Sequence, residues 1–569
     1  MCGIFGVIGQ TNNAAQLVLE GLIKLEYRGY DSWGISVKQD GRLVRERHTG
    51  KISQAKTKLP PSTIGLGHTR WATHGGVTVG NAHPHLSCDQ KLSLVHNGIV
   101  ENFRTLKEKL ILNHKFTSET DTEVALHLIE EKAKQLDLLS AVKAAFKEIS
   151  GMNALIVLSA DNDELIAVKN GSPLIIGLGK NSNFISSDVW ALLDHTNQVI
   201  FLEDNQIARI TAESVQIFSV ISSKAIMPKI VTLNWKLEQS RLGKFHHYME
   251  KEIFDQPKVL LNLASQEFVS LKKLIKPNRK IYLLACGTAY YAALFSEYCL
   301  RSNGFEAEAV MASEYQKIAK LVKSDQLLLV LSQSGETIDV INAVKELKAK
   351  KIPVVAITNV LGSTLYRLAD YQILLNAGQE VAVASTKAFT AKLAVILKLI
   401  GCSPDLIKQA AQTSVDREKI KNLAGQIKDS EHIFVIGRGL SYPIALEAAL
   451  KIKEVSYIHA EGFAGGELKH GPIALIDKGT PCIIIAPLDD TYTDIISSAH
   501  ELKARGGLII GISPKPDAVF DYHLSVPDLQ AATAIPEIII AQLLAYDLAV
   551  GRGLNPDKPR NLAKSVTVK

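Results

Sequence analysis

The sequence predicts a multidomain α/β protein: an N-terminal α+β sandwich, two parallel-sheet α/β domains and a short tail. Three observations predict it. Residues 1–225 alternate short β-branched runs with turns and hold few strong helices. Beyond Lys280 the texture becomes strand, glycine turn, helix, with apolar strands that lack polar alternation, the mark of parallel sheets covered on both faces. That second region also repeats itself. Ile281–Tyr290 aligns with Ile433–Tyr442, and Glu346–Thr358 with Glu501–Ser513, at offsets of 152 and 155 residues. Two matches in the same order indicate a duplicated domain. The divisions fall at 1–225, a linker over 226–243, copies at 244–415 and 416–550, and a tail at 551–569.

In the first region the expected strands are Ile4–Ile8, Gly34–Val37, Leu92–Val95, Ala154–Leu158, Leu165–Val168, Val199–Phe201 and Gln206–Ile210. Helical spacing marks Ala14–Leu25 and a helix that starts near Ser118 or Asp121. The pattern fades over Ser222–Gly243, with Pro228, Trp235 and Arg241, and a helix from His246 ends near Pro257. The most apolar stretch, Ala531–Val550, carries Pro536, Glu537, Gln542 and Asp547 and reads as a buried helix, not a membrane span. The tail, with Gly553, Pro556 and Pro559, reads as irregular and exposed.

Composition is that of a soluble globular protein, 46% hydrophobic and 21% charged. The net charge of +6 comes without a dense basic run, so neither nucleic acid nor membrane is an expected partner. The six cysteines have no CxxC or His/Cys ligand spacing, which argues against a disulfide framework or a zinc site and suits a reducing cytoplasm. Gly3, Gly6 and Gly9 interrupt the opening, and no signal peptide is visible.

The chemistry begins at Cys2, which becomes N-terminal once Met1 is removed. Thiol and α-amine then share one residue, and an amine of pKa about 7.7–8.0 can accept the thiol proton near neutral pH. Strand ends supply the groups such a nucleophile needs. Asn97 and Gly98 can donate to an oxyanion, while Arg70 and Asp121 can pair with the carboxylate and ammonium of an amino acid. Asn-Gly also suits a hairpin turn and Asp121 a helix cap. In the first copy, Ser332–Thr337 follows an apolar strand and opens a helix, an anion site without a Walker lysine, better suited to a sugar phosphate than to a nucleotide. The second copy has Ala486–Asp490 there, whose two carboxylates repel phosphate, so one site per pair of copies is expected.

Cys2–Gly6, Tyr27–Ser32, His68–His74, Asn81–His85, His96–Gly98 and Thr120–Glu123 resemble the class II glutamine amidotransferases. The resemblance implies an N-terminal-nucleophile hydrolase fold in which Cys2 forms a γ-glutamyl thioester and releases ammonia. It implies glutamine binding by Arg70, Thr73 and Asp121, with His74 nearby, an oxyanion hole at Asn97 and Gly98, and an ammonia gate at Trp71. Trp33 departs from the small residue expected there and bears on the packing around Arg28.

Ser332–Thr337, Cys286–Thr288 and Val383–Phe389 resemble the sugar isomerase domain, a flavodoxin-like α/β fold. With Glu447 to Glu454, Glu467–Pro472 and Pro559–Val568, the whole chain is similar to the isomerizing aminotransferases that pass glutamine nitrogen to fructose 6-phosphate. That resemblance implies a homodimer with no cofactor and no metal. It implies ring opening by His470 from the neighbouring subunit, a Schiff base at Lys564, proton transfer by Glu454 and charge support from Lys451. Thr288, Ser332, Gln333, Ser334 and Thr337 would bind phosphate, with Ser385 near the sugar. Ala289 stands where the family has a serine, and the connectors 258–280 and 401–420 look short. A sugar-phosphate sensor needs none of Lys564, Glu454 or His470, and a glutamine-independent deglycase needs no Cys2 set.

Overall fold

The computed structural model describes residues 2–233 and 242–566. Trp235 and Arg241 of the expected linker, and the last three residues of the tail, lie outside the described residues. The chain divides into two compact units, one drawn from Met1–Glu238 with Ala563–Lys569, the other from Gln239–Leu562.

In the first unit, strand β1 (Gly3–Gly9) leads to helix α1 (Ala14–Leu25), β2 (Ser32–Gln39), β3 (Arg42–Thr49) and β4 (Ile64–Arg70). Then come β5 (His85–Leu86), β6 (Leu92–Gly98), α2 (Phe103–Leu110), α3 (Asp121–Ala133) and α4 (Leu138–Glu148). Strands β7 (Asn153–Ser159), β8 (Leu165–Asn170), β9 (Ile175–Leu178), β10 (Ser182–Ser186), β11 (Gln198–Phe201), β12 (Gln206–Ile210), β13 (Val215–Ser219), β14 (Ala225–Ile226) and β15 (Ile230–Thr232) complete it.

These strands build an eight-stranded sheet, β15-β11-β9-β10-β1-β4-β2-β3, and a seven-stranded one, β14-β13-β12-β8-β7-β6-β5. Ile4, Ile8, Ile64 and Leu66 of the first meet Val95, Ala154, Ile156 and Leu158 of the second in one apolar layer. The alternate residues Leu155, Val157, Ile166 and Val168 pack under α2–α4 against Val124, Leu128 and Leu138. Both faces of β7 and β8 are therefore apolar, which is why the sequence there shows no inside–outside alternation. The expected strands and both expected helices form; α2, α4 and strands β3, β4, β5, β9, β10 and β13 were not anticipated, and β14 and β15 carry the sheets into the expected linker. Trp33 leaves Arg28 undisturbed: it stacks on His48 of the neighbouring strand at 4.4 Å, while Arg28 pairs with buried Asp188.

The second unit begins with α5 (Tyr248–Ser265) and α6 (Val269–Lys272). Its first sheet is β17-β16-β18-β19-β20 and its second β22-β21-β23-β24-β25, every neighbouring pair parallel. The strands are β16 (Ile281–Ala285), β17 (Ala307–Met311), β18 (Leu327–Ser332), β19 (Val354–Thr358) and β20 (Tyr371–Leu374), then β21 (His432–Gly437), β22 (His459–Ala464), β23 (Pro481–Ile485), β24 (Leu508–Ser513) and β25 (Tyr522–Ser525). Both sheets have the 2-1-3-4-5 order of flavodoxin-like folds, so the repeat read from sequence is a repeat of topology. The helices are α7 (Thr288–Ser302), α8 (Gln316–Ala319), α9 (Ile338–Lys348), α10 (Thr364–Leu368), α11 (Lys387–Leu399), α12 (Pro404–Ala411), α13 (Arg417–Ile427), α14 (Ser441–Ser456), α15 (Tyr492–Lys503) and α16 (Ala534–Gly551).

Two expectations need correction. The helix from His246 does not stop near Pro257; α5 continues to Ser265. Proline removes the bond to the carbonyl four residues back, here Ile253, and the Gln256 amide replaces it with a 3.0 Å bond to that oxygen. Helix α12 and the start of α13 fill the segment 401–420. The tail is irregular but not uniformly exposed: Pro556, Pro559 and Ser565 are buried. The Asp557 carboxylate accepts the Tyr248 and Met249 N–H groups at 2.8 and 2.7 Å, capping α5. Helix α16 is long and apolar enough to cross a membrane by composition, yet 89% of its apolar window is buried, as expected of a core helix.

Fully buried Gln256 also donates to Gln542 at 2.9 Å and accepts from Thr390 at 2.7 Å. Gln256→Leu should therefore destabilise the second unit by on the order of 3 kcal/mol, because each buried polar group left unpaired costs ~1–3 kcal/mol. Urea unfolding followed by circular dichroism reads the loss; an unchanged midpoint would refute the proline compensation.

Candidate functional site

Cys2 stands at the start of β1, in the middle of the larger sheet. Antiparallel pairing sets Gly3 opposite Thr69, which brings the thiol to the end of β4 and the loop beyond it. Side chains clamp this strand end: Gly3 N–H donates to Thr69 Oγ1 at 3.1 Å and Ile4 N–H to Ser187 Oγ at 3.0 Å. Trp71 N–H donates to Cys2 Sγ at 3.2 Å. Burial pushes the Cys2 thiol above its ordinary value, against the N-terminal charge, the Trp71 N–H and the Arg70 guanidinium.

Asn97 and Gly98 lie inside β6, where Gly98 pairs with Asn153, so the Asn-Gly pair forms no hairpin turn. Asn97 Nδ2 donates to the Cys2 carbonyl at 3.0 Å. Its amide is oriented from behind by His68, whose Nε2 bonds Asn97 Oδ1 at 3.1 Å and the His96 carbonyl at 2.9 Å. Both acceptors are carbonyl oxygens, so His68 carries its proton on Nε2. Burial depresses His68 to about 3, keeping the ring neutral. Glycine is required at 98: φ is +137°, and a Cβ would lie 2.1 Å from the Met152 carbonyl oxygen.

Asp121 opens α3 without capping it. Thr120 is the cap, accepting from Glu123 N–H, while Asp121 Oδ2 accepts from Val100 N–H at 2.7 Å, just past Gly98. Arg70 is buried and ties down the loop beside Cys2: its guanidinium donates to the carbonyls of His74, Gly75 and Gly76. Trp71 meets the Tyr30 ring edge-on at 5.3 Å, and the His74 ring packs on Phe103 at 5.4 Å. Thr73 is exposed on the same loop. One compact site therefore gathers Cys2, Asn97, Gly98, Arg70, Trp71, Thr73, His74 and Asp121. His68, Asp31 (which accepts from Ala72 N–H at 2.9 Å) and Ser187 support it. The first two sit inside the motifs quoted above; Ser187 left no signal in the sequence.

In the second unit the chain reverses direction across the first sheet between β16 and β18, and ligands of such folds bind at the carboxyl ends of those strands. Thr288 follows β16, and Ser332–Thr337 follows β18 at the N-terminus of α9. The loop is prebuilt: Ser332 Oγ accepts from Gly335 N–H at 3.0 Å and Ser334 Oγ from Glu336 N–H at 3.1 Å. The Gln333 carbonyl accepts from Asn359 N–H at 3.1 Å, and Thr337 stands as the α9 cap residue without a side-chain cap bond. Ser385 donates to Glu380, the carboxylate that also accepts the Thr386 and Ala388 N–H groups at the start of α11. Ala289 sits in the apolar core rather than at the surface.

Helix α14 contributes a charged row. Glu447, Lys451 and Glu454 fall at helical spacing, and Lys451 Nζ lies 3.4 Å from Glu447 Oε1 and 2.5 Å from Glu454 Oε2. The Thr288 hydroxyl joins it, accepting from Lys451 at 2.9 Å and donating to Glu447 at 3.2 Å. Thr288 thus links the first copy's strand end to the second copy's helix. Burial opposes charge on Lys451, yet the two glutamates hold its ammonium above the ordinary value. Burial pushes Glu447 up to about 8. Glu447, which begins one of the motifs quoted above, was given no role from sequence, although its spacing to Lys451 was legible. His470 is exposed on the short turn after β22, an edge strand. Lys564 falls in the segment that groups with the first unit.

Residues 47–235 match the glutamine amidotransferase domain family, and residues 273–400 and 426–551 match the SIS domain family. Fold and sites together define a glutamine amidotransferase joined to a pair of sugar isomerase domains. A glutamine–fructose-6-phosphate aminotransferase (isomerizing) from Pyrococcus horikoshii is 40% identical over 604 residues, and one from Methanosarcina acetivorans 41% over 620, each alignment covering 100% of both chains. A solved C-terminal domain of glucosamine-fructose-6-phosphate aminotransferase from Francisella tularensis is 32% identical with a TM-score of 0.51, covering 56% of this chain and 100% of that one. The chain belongs to the glutamine–fructose-6-phosphate aminotransferase (isomerizing) family.

Glu447 binds its proton more tightly folded than unfolded, so its stabilising effect is full below 4.5 and drains as pH rises toward about 8. Glu447→Gln should flatten the fall of unfolding free energy across that window. Denaturant titrations of both proteins at several pH values check it; parallel curves would show that Glu447 is not held protonated.

Proposed function

We infer that this chain transfers the amide nitrogen of glutamine to fructose 6-phosphate, giving glucosamine 6-phosphate and glutamate, the first step toward UDP-N-acetylglucosamine. One observation carries the reading: a part-buried thiol whose own backbone carbonyl holds the Asn97 amide, and a Glu–Lys–Glu row bonded to Thr288, occur in a single chain. The first can release ammonia from an amide, and the second can move protons on a sugar phosphate.

After Met1 is removed, the Cys2 α-amine takes the thiol proton as sulfur attacks the glutamine side-chain carbonyl. Asn97 Nδ2 and Gly98 N–H receive the developing oxyanion, an arrangement worth about 10²–10³ in rate for each donor. The C–N bond breaks, the proton leaves with the departing ammonia, and water hydrolyses the thioester to glutamate. Arg70 and Asp121 hold the carboxylate and ammonium of glutamine, Thr73 and His74 border it on the loop, and Trp71 gates the ammonia route.

At the sugar site Ser332, Gln333, Ser334, Thr337 and Thr288 hold the phosphate, aided by the N-terminal N–H groups of α9, with Ser385 near the sugar. Lys564 condenses with the C2 ketone after His470 of a second subunit opens the ring, and ammonia displaces the lysine. Glu454 then moves a proton from C1 to C2, converting the imine to the 2-amino aldose, while Lys451 steadies its charge. The exposed position of His470 suits donation to another copy of the chain, and so a homodimer. A cytoplasmic location and the absence of nucleic-acid or membrane partners belong to the same reading.

Cys2→Ala should abolish glutamine-dependent synthesis while isomerisation of the sugar phosphate persists. Product analysis with fructose 6-phosphate, with and without glutamine, reads both; glutamine-driven synthesis surviving the change would remove Cys2 from its role. Borohydride with fructose 6-phosphate should fix sugar on the peptide containing Lys564, and labelling of another lysine would overturn that assignment.

A further inference from the structure

Four metal-type donors converge in the first unit, outside the Cys2 site. Cys88 lies on the hairpin between β5 and β6, His114 follows α2, and His127 and Glu130 sit one turn apart on α3. Their ligand atoms all lie within 4.8 Å of one another. Cys88 Sγ is 3.8 Å from both His114 Nδ1 and His127 Nδ1, and Glu130 Oε2 is 3.1 Å from the first ring nitrogen and 2.8 Å from the second. A tetrahedron with metal–ligand bonds of about 2.0–2.3 Å has edges of about 3.3–3.8 Å, so small side-chain shifts make these atoms its corners.

We propose that Cys88, His114, His127 and Glu130 form a zinc-binding site that braces the glutaminase unit. The surroundings are those of a metal centre. Each imidazole turns Nδ1 inward and sets Nε2 against a carboxylate: His114 Nε2 is hydrogen-bonded to Glu131 at 2.9 Å, and His127 Nε2 faces Glu123 at 3.8 Å. Outer carboxylates of this kind fix the tautomer and orientation of metal-ligating histidines. Lys115 N–H donates to Cys88 Sγ at 3.3 Å, a contact that favours the thiolate. His114, His127 and Glu130 are buried, and Cys88 closes the cluster from the exposed side.

One sulfur, two imidazoles and a single carboxylate are wrong for magnesium or calcium, which take oxygen ligands, and right for zinc. All four corners come from protein, so no position remains for a reacting water, and the site is structural. The ion would tie α3, whose first residue is Asp121, to the hairpin that leads into β6 with Asn97 and Gly98. Sequence spacing could not show this. The donors come from three separate elements and form no CxxC or HxxxH pattern, which is why the cysteine arithmetic argued against zinc.

The test uses the full chain in a Cys2→Ala background, so that the nucleophilic thiol cannot compete, stripped with chelator and titrated with zinc alone. One zinc per chain should bind and raise the melting temperature, and cobalt should give a thiolate charge-transfer band. Cys88→Ser, an exposed position that folding tolerates, should abolish that band and weaken zinc binding at least on the order of 100-fold. Glu131→Gln, which touches only the outer carboxylate, should weaken binding by ~10-fold. Failure of the parent to take up zinc, or equal binding by the parent and Cys88→Ser, would overturn the proposal without touching the reading of Cys2.

Discussion

The chemistry of the first unit depends on how one strand end is held. Strand β1 is clamped by β10 on one side and β4 on the other, and the register Gly3 opposite Thr69 leaves the Cys2 thiol against the Trp71 N–H. A slip of one residue would turn Ile4 and Ile8 out of the inter-sheet core and carry Cys2 away from Asn97. The apolar pattern of the sandwich therefore fixes the nucleophile's position, with the Thr69 and Ser187 hydroxyls finishing the alignment.

Behind that site stands a group of histidines kept neutral by burial. His68 and His85 are both depressed to about 3, and His83 and His96 are lowered as well. A neutral imidazole can orient an amide or hydroxyl without placing a charge beside the thiol, which is what His68 does for Asn97 and His85 does for the Thr120 cap. The second unit takes the opposite course and buries a full ammonium. Lys451 is tolerated there because Glu447, Glu454 and the Thr288 hydroxyl surround it. Removing Glu454 would leave an uncompensated ammonium in the interior.

Much of this was legible in the sequence. The strands and helices with strong β-branched or helical patterning form, and the internal repeat is a repeat of strand order. The polar strand β3 left no hydrophobic signal, because Arg42–Thr49 is rich in charged residues at the edge of its sheet. The end of α5 was misplaced because proline was read as a stop, and the Gln256 amide that replaces the lost bond is visible only in three dimensions. The motif residues around Cys2 converge on one strand end. The Cys88 cluster escaped notice because its donors are far apart in sequence.

The central claim is that Cys2 carries the acyl group of glutamine. Mixing the enzyme with glutamine, quenching with acid within a turnover and mapping the peptides by mass spectrometry tests it directly. The account predicts a glutamyl thioester on the N-terminal peptide, at Cys2 with its α-amine free. An adduct on any other cysteine, or steady turnover with Met1 still attached, would contradict it.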